Sequence, residues 1–193
     1  MKSLVHARGN PYKLMLWLGI LGSCLIFLFL ILVLVTRSQS ADWVSIQIPV
    51  AFSYSTFTIL LSSFSLFLAT RSFKAEQYRP AFRWHCITFC LALAFCLLQI
   101  GGWVRLKENG VFLSQVSGAF IYLLSGLHFA HIFFGIAGLL WILIDTYPHQ
   151  HYLDGFIQSL NPVKLTRLQL ITTFWHFIDL LWVVVFILLQ WSY

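Results

Sequence analysis

The sequence predicts an all-α polytopic membrane protein, an antiparallel bundle of five transmembrane helices, and three observations carry that prediction. Of its 193 residues, 60% are hydrophobic and only 9% are charged, a balance outside the soluble globular range. The apolar residues gather into long runs: Leu14 to Val35, Ile48 to Thr70, Trp84 to Val104, Ala119 to Ile144 and Leu170 to Trp191. Each can cross as a helix, since about 20 residues span a hydrocarbon core of roughly 30 Å. The runs lack the alternation of barrel strands, and lipid offers no water to satisfy an open backbone. Residues 1–193 therefore read as a single membrane domain without repeat, linker or low-complexity tract.

The first run exceeds the roughly 7 to 15 apolar residues of a cleavable signal and is expected to be a retained helix. Its Gly19 and Ser23 form a small-xxx-small pair, a device that lets helices approach closely in lipid. Ser62, Ser63 and Ser65 cluster in the second run, and Gly135 and Gly138 share a face of the fourth. In the third, Cys86 and Cys90 stand one helical turn apart beside His85. A closed metal site needs about four ligands, so these thiols, with Cys24 and Cys96, are expected to act as small hydrophobes. The stretch from Asp145 to Gln169 holds Pro148, His149, His151, Gly155 and Pro162, breakers that predict an irregular loop with both histidines exposed. Trp17, Trp43, Trp84, Trp103, Trp141, Trp182 and Trp191 are expected mostly near helix ends, as interfacial aromatics are.

Basic residues give an orientation. Lys2, Arg8, Lys13, Arg71, Lys74, Arg79, Arg83, Lys164 and Arg167 fall on the N-terminal side of the bundle, against Arg37, Arg105 and Lys107 opposite. Cytoplasmic loops carry the excess of Lys and Arg, so the N-terminus is expected in the cytoplasm and the C-terminus outside. The net charge of +6 is a topology signal on this reading, and no nucleic-acid partner is implied.

The chemistry-bearing residues lie inside the apolar runs. His128 and His131 share a face of the fourth helix, and His176 and Asp179 share a face of the fifth. Ionisable groups at such depth usually face the bundle interior, pair, or line a pathway. With helix entry at Ala119 and Leu170, His131 lies about 12 Å, His176 about 9 Å and Asp179 about 14 Å from the same boundary. The matching depths predict that His131 meets Asp179 or His176 across the interface of the two helices. Three uses are open to this cluster: a structural polar lock, a proton relay, or haem or metal ligation.

These residues also carry a resemblance. Ser125-Gly126-Leu127-His128-Phe129-Ala130-His131, followed by Gly135, and Thr173-Phe174-Trp175-His176-Phe177-Ile178-Asp179-Leu180-Leu181-Trp182 are similar to motifs of cytochrome c oxidase subunit III of the heme-copper oxidases. Gln99-Ile100-Gly101-Gly102-Trp103 with Gly110-Val111-Phe112, and Ser117-Gly118-Ala119-Phe120-Ile121-Tyr122, resemble the family's third-helix exit and the start of its next helix. The resemblance covers essentially the whole chain in the family's short five-helix bacterial form. Ser23 stands where the family typically has a buried glutamate, and Gln169 replaces a common family glutamate.

The resemblance implies an accessory, non-redox subunit of a respiratory terminal oxidase in the bacterial cytoplasmic membrane, with no catalytic centre of its own. Such a subunit supports assembly, stability, lipid binding and sustained proton uptake. Haem and copper are expected in the partner catalytic subunits, with oxidase subunits I and II, a larger respiratory supercomplex and phospholipids as partners. His128, His131, His176 and Asp179 are carried as a structural cluster, with no catalytic, cofactor or metal residue assigned. A homologous subunit of a quinol oxidase or nitric oxide reductase complex remains an alternative. So do a stand-alone b-haem protein using His128, His131 and His176, and a small transporter with Asp179 in its path.

Overall fold

A computed structural model describes residues 11–40, 43–147 and 162–193. They form five helices and, among the described residues, no strand: α1 (Pro11–Ser38), α2 (Val50–Lys74), α3 (Tyr78–Glu108), α4 (Val116–Thr146) and α5 (Pro162–Ser192). Each is long and apolar enough to cross a membrane. Every helix but α2, which starts two residues late, outruns its apolar stretch at both ends. The 31 residues of α5 extend about 46 Å at the helical rise, so its ends reach beyond a hydrocarbon core of roughly 30 Å.

The largest departure from expectation is the start of α5, which begins at Pro162 rather than Leu170. The stretch predicted as loop up to Gln169 is thus helical from Pro162 onward. In sequence, proline reads as a breaker. At the first helical position, however, its missing N–H is one of the groups that has no intrahelical partner anyway, and its fixed φ suits a helix. Pro11 opens α1 in the same way. His149 and His151 lie outside the described residues.

Helices consecutive in the chain run in opposite directions, which leaves α1 and α5 parallel. At one end, Trp43, just after α1, packs its ring 4.9 Å from that of Tyr193, just after α5. The Tyr193 hydroxyl donates to the Ser117 carbonyl at the start of α4, and burial pushes the pKa of that phenol up, so it stays a donor. At the other end, Phe73 of α2 meets Tyr78 of α3 at 5.7 Å, and Lys164 of α5 donates to Asp145 of α4 at 2.9 Å. α5 packs against α1, α2 and α4, and α3 packs against α2 and α4.

Three glycines set the close approaches. A Cβ on Gly102 would come within 2.6 Å of the Phe52 ring, so α3 lies against α2 only with glycine there. A Cβ on Gly135 would fall 2.8 Å from Ile178 and 2.9 Å from Trp175, which seats α4 on α5. One on Gly118 would meet the Phe112 carbonyl oxygen at 2.5 Å. Gly19 differs, since a Cβ there would meet nothing within 4 Å. No close approach is made at Gly19 within this chain, and α1 touches the bundle along a narrow stripe of Ile20, Phe27 and Leu34 with Ser23 beside it.

The centre of the bundle is aromatic. Trp182, fully buried, sits against Phe52 of α2 at 6.1 Å, Phe95 of α3 at 5.5 Å and His128 of α4 at 4.8 Å between ring centroids. Four helices thus meet on one indole. Its position corrects the expectation of an interfacial role for Trp182: a donor-only indole is tolerated at mid-membrane when an acceptor is at hand, and Thr56 supplies one at 2.9 Å.

Replacing Gly135 by valine should force Trp175 and Ile178 aside and cost about 1–3 kcal/mol by overpacking, whereas Gly19→Val should stay within about 0.5 kcal/mol. Thermal unfolding of both variants in detergent, followed by size-exclusion chromatography, checks the contrast.

Candidate functional site

The intramembrane polar groups are organised by two ladders of hydroxyls on α2. Ser55 and Ser62 are seven residues apart, as are Thr56 and Ser63, so each pair returns to nearly the same face after two turns. Trp175 and Trp182 on α5 have the same spacing. The helices are antiparallel, and the rungs match in order: Trp182 Nε1 donates to Thr56 Oγ1 at 2.9 Å, Trp175 Nε1 donates to Ser62 Oγ at 3.1 Å, and His176 Nδ1 shares a hydrogen bond with Ser63 Oγ at 2.6 Å. An indole N–H only donates, and in hydrocarbon an unmatched donor costs several kcal/mol, so these hydroxyls answer a fixed demand.

α2 makes similar bonds to α3. Gln99 Nε2 donates to Ser55 Oγ at 2.9 Å, and Ser65 Oγ and Thr88 Oγ1 are 2.7 Å apart. Farther along, Trp103 Nε1 donates to Ser125 Oγ at 2.9 Å and ties α3 to α4. Ser62, Ser63 and Ser65, which read from sequence as small packing residues, are hydrogen-bond partners as well. The signal in the chain is coarse: hydroxyls cluster on one helix and donor-only tryptophans stand seven apart on another, while the two hydroxyls they reach, Thr56 and Ser62, are six apart.

The four residues singled out from sequence go to different interfaces. His131 turns to α1, where its Nε2 is 2.9 Å from Ser23 Oγ and its ring meets Phe27 edge-on at 5.7 Å. Its Nδ1 is 2.8 Å from the Leu127 carbonyl oxygen. A carbonyl only accepts, so Nδ1 carries the hydrogen, and the Ser23 hydroxyl lies between two neighbours, His131 Nε2 and the Gly19 carbonyl oxygen, each at 2.9 Å. His176 turns to α2, as above. The expected pairing of His131 with Asp179 or His176 is thus replaced by two separate bonds to serines. The depths match, but α4 presents His131 to α1 while α5 presents His176 to α2. Matching depth fixes height in the membrane and leaves the azimuth of each side chain free.

His128 and Asp179 are the remaining pair. His128 is fully buried between Phe95 and Trp182 with no hydrogen-bond partner on either ring nitrogen, and it acts here as a flat aromatic filler. Asp179 is 3% exposed, and neither carboxylate oxygen makes a hydrogen bond of good geometry. Ser63 lies beside it, and its hydroxyl also meets His176 Nδ1; where His176 donates in that bond, the Ser63 hydrogen is free to turn to the carboxylate. Among the described residues, no three His, Cys, Asp or Glu side chains come together in a way that could hold a metal ion. His85, beside Cys86 and Cys90 in sequence, bonds its Nδ1 to the Ala81 carbonyl instead. The arrangement joins helices through polar bonds, with two buried groups left outside the network.

Two substitutions separate those roles. Ser63→Ala leaves His176 unmatched and should cost about 0.5–2 kcal/mol. Asp179→Leu removes an unsatisfied group of similar size and should leave stability unchanged or raise it by about 1 kcal/mol. Thermal midpoints of the two variants measured side by side in the same detergent test the pair, and a larger loss for Asp179→Leu would make the carboxyl part of the lock.

Comparison with known proteins follows the geometry. No family model matches the chain. Curated relatives do: it is 30% identical over 139 residues to a cytochrome bo(3) ubiquinol oxidase subunit 3 of Buchnera aphidicola subsp. Baizongia pistaciae, covering 68% of this chain and 63% of that protein. It is 25% identical over 132 residues to a probable cytochrome c oxidase subunit 3 of Mycobacterium bovis, covering 68% and 61%. A second ubiquinol oxidase subunit 3, from Buchnera aphidicola subsp. Schizaphis graminum, is 26% identical over 177 residues, covering 89% and 88%. The match spans about three fifths of the length of several of these relatives. Residues quoted for the resemblance have structural work in the bundle: Gln99 bonds Ser55, Gly102 admits Phe52, Trp103 bonds Ser125, Gly135 seats α5, and Trp175, His176 and Trp182 bond α2. With five helices apolar and long enough to cross a membrane, and with relatives of both oxidase types, the chain is similar to the subunit 3 proteins of cytochrome c and quinol oxidases.

Proposed function

We propose that this chain is an accessory subunit of a respiratory terminal oxidase in a bacterial cytoplasmic membrane, working beside catalytic subunits that hold the haem and copper. The observation that carries the reading is where the polar side chains go. His131 and His176 are each bonded to a serine of a neighbouring helix, and His128 is packed between Phe95 and Trp182. The three histidines of the stand-alone haem alternative point into three different contacts rather than around one pocket. The transporter alternative calls for helices broken near the midplane, whereas the described helices are continuous through their apolar stretches. The relatives' names support the oxidase assignment, and they include both cytochrome c and quinol types.

The outward surface fits a subunit that meets lipid and other chains. α1 exposes Leu18, Leu21, Leu25, Phe29 and Leu32, each more than half accessible. Within a complex such a face is covered by acyl chains or by an apolar neighbour, and helix packing in lipid then rests on shape and hydrogen bonding. The proposed role is to stabilise the assembly, hold lipids at its edge and support proton uptake by the catalytic subunit. The excess of basic residues at the end bearing Lys74, Arg79 and Arg83 supports a cytoplasmic location for that end.

Purification in mild detergent through a C-terminal tag should bring down a large haem- and copper-containing subunit with an oxidase spectrum, whose electron donor then names the type. A colourless chain recovered alone would remove the support for the accessory role, and a chain carrying its own haem band would overturn it. For orientation, a membrane-impermeant maleimide should label Ser114→Cys in intact cells and Gln77→Cys only after permeabilisation, and the reverse pattern would invert the topology.

A further inference from the structure

Among the described residues, Asp179 is the only buried carboxyl, at 3% exposed, and no cation meets it. The ion pairs of the described residues, Arg105 with Glu108 and Lys164 with Asp145, lie toward the two ends of the bundle. An ionisable group inside a membrane is costly and is kept where it pairs or where it handles ions or protons. Asp179 does not pair, since neither oxygen makes a hydrogen bond of good geometry. Ser63 of α2 lies beside it, and the same Ser63 hydroxyl is 2.6 Å from Nδ1 of His176, three residues before Asp179 on α5. One hydroxyl is therefore common to a carboxyl and an imidazole.

A hydroxyl donates and accepts at once, a protonated carboxyl donates, and a neutral imidazole has one nitrogen of each kind. With the carboxyl protonated, Asp179 donates to Ser63 Oγ, Ser63 donates to His176 Nδ1, and the ring hydrogen sits on Nε2. With the carboxyl ionised, every bond turns round: Ser63 donates to the carboxylate, His176 Nδ1 donates to Ser63, and Nε2 is bare. The two arrangements use the same heavy atoms and differ by a single proton. Counted atom by atom, that proton is gained or lost at Nε2 and not at the carboxyl.

Burial agrees with that direction. Both Asp179 oxygens are enclosed, whereas His176 is only partly buried and its Nε2 is not enclosed as both nitrogens of His128 are. The titratable groups of the surrounding helices are engaged elsewhere. From α4 come His128, packed between Phe95 and Trp182, and His131, bonded to Ser23. α1 brings Cys24 and α2 brings Tyr54, both exposed. α3, behind α2, brings His85, bonded to the Ala81 carbonyl, and Cys86, Cys90 and Cys96. The charged groups nearest along the two helices, Arg71 on α2 and Arg167 on α5, are more than two turns from Ser63 and His176.

We propose that Asp179, Ser63 and His176 form a single proton-binding site, filled and emptied through His176 Nε2. A proton delivered by water bonds to Nε2, the Nδ1 hydrogen passes to Ser63 Oγ, and the Ser63 hydrogen passes to Asp179. Three bonds to hydrogen form and two break within the site, and the carboxylate becomes neutral. Emptying runs the same steps backward, with water taking the proton from Nε2. At neutral pH the site is filled, because a carboxylate without a cation is costly in so apolar a place. The inference goes beyond the accessory-subunit reading and does not depend on it, since it concerns the polar groups of this chain alone.

The test uses the full chain in nanodiscs and two spectroscopies over a pH series. Infrared absorption reads the C=O stretch of a protonated carboxyl, assigned by its loss in Asp179→Asn. Nitrogen NMR of protein with labelled histidine reads which ring nitrogen of His176 carries the hydrogen, assigned by loss of the signal in His176→Gln. At neutral pH the wild type should show the carboxyl band, with the ring hydrogen on Nε2. As pH rises, the band should vanish and the hydrogen should move from Nε2 to Nδ1 with one shared midpoint, because the two groups titrate as a pair. Ser63→Ala should uncouple them, so that the ring no longer changes tautomer when the band is lost, and Ser63→Thr, which keeps the hydroxyl, should restore the coupling. Three results from the wild type alone would overturn the proposal: no band that depends on Asp179 at neutral pH, a band that persists at every pH the fold survives, or loss of the band without a change of tautomer. Coupling that survives in Ser63→Ala would overturn it as well. None of these results bears on whether an oxidase subunit co-purifies, so the two readings fail separately.

Discussion

The structure turns on the need of buried donor-only side chains for acceptors in a solvent that offers none. Trp175 and Trp182 lie deep on α5, where each indole N–H would otherwise be stranded among hydrocarbon. α2 meets that need with Ser62 and Thr56, and in doing so fixes which face of α2 meets α5 and at what height. A slide of one helical turn would break both bonds together with the His176–Ser63 bond. Each rung is worth only about 0.6 kcal/mol on average in membrane proteins. Their effect on register is larger than their sum, because a mismatched register leaves three donors or acceptors unpaired at once.

Packing acts at the same places. Trp182 is held on one edge by Thr56 and touched on its other sides by Phe52, Phe95 and His128, so the hydrogen bond and the aromatic core constrain the same ring. Gly135 and Gly102 then let the backbones come close enough for such contacts to form. α1 stands apart from this arrangement. It joins through a stripe of Ile20, Phe27 and Leu34 and the single Ser23–His131 bond. The Ser23 hydroxyl meets His131, so a polar link joins α1 to α4.

The contrast between His131 and Asp179 shows how polar groups inside a membrane can differ in role at similar depth. His131 is bonded at both nitrogens; Asp179 is bonded at neither oxygen. One is part of the framework, and the other is a cost that the framework carries. The same distinction separates His176 from His128, whose ring contributes shape to the aromatic core and no hydrogen bond.

Run length and composition determined the fold class by themselves, because about 20 apolar residues in a row have few alternatives to a spanning helix. The residue types that do chemistry in the membrane were legible too: His128, His131, His176 and Asp179 are conspicuous in such surroundings. Helix ends were less legible, since α5 carries Lys164, Arg167 and Gln169 in helical conformation from Pro162 onward, and polar residues at a membrane boundary are compatible with either helix or loop. Partners were decided only by the tertiary structure. Helical period says that His131 and His128 share a face of α4, but when lipid and protein are equally apolar, nothing in the sequence says whether that face meets α1, α5 or a hydrocarbon chain. The docking of α2 on α5 made that choice, through hydroxyls whose spacing was visible in the chain and whose partners were not.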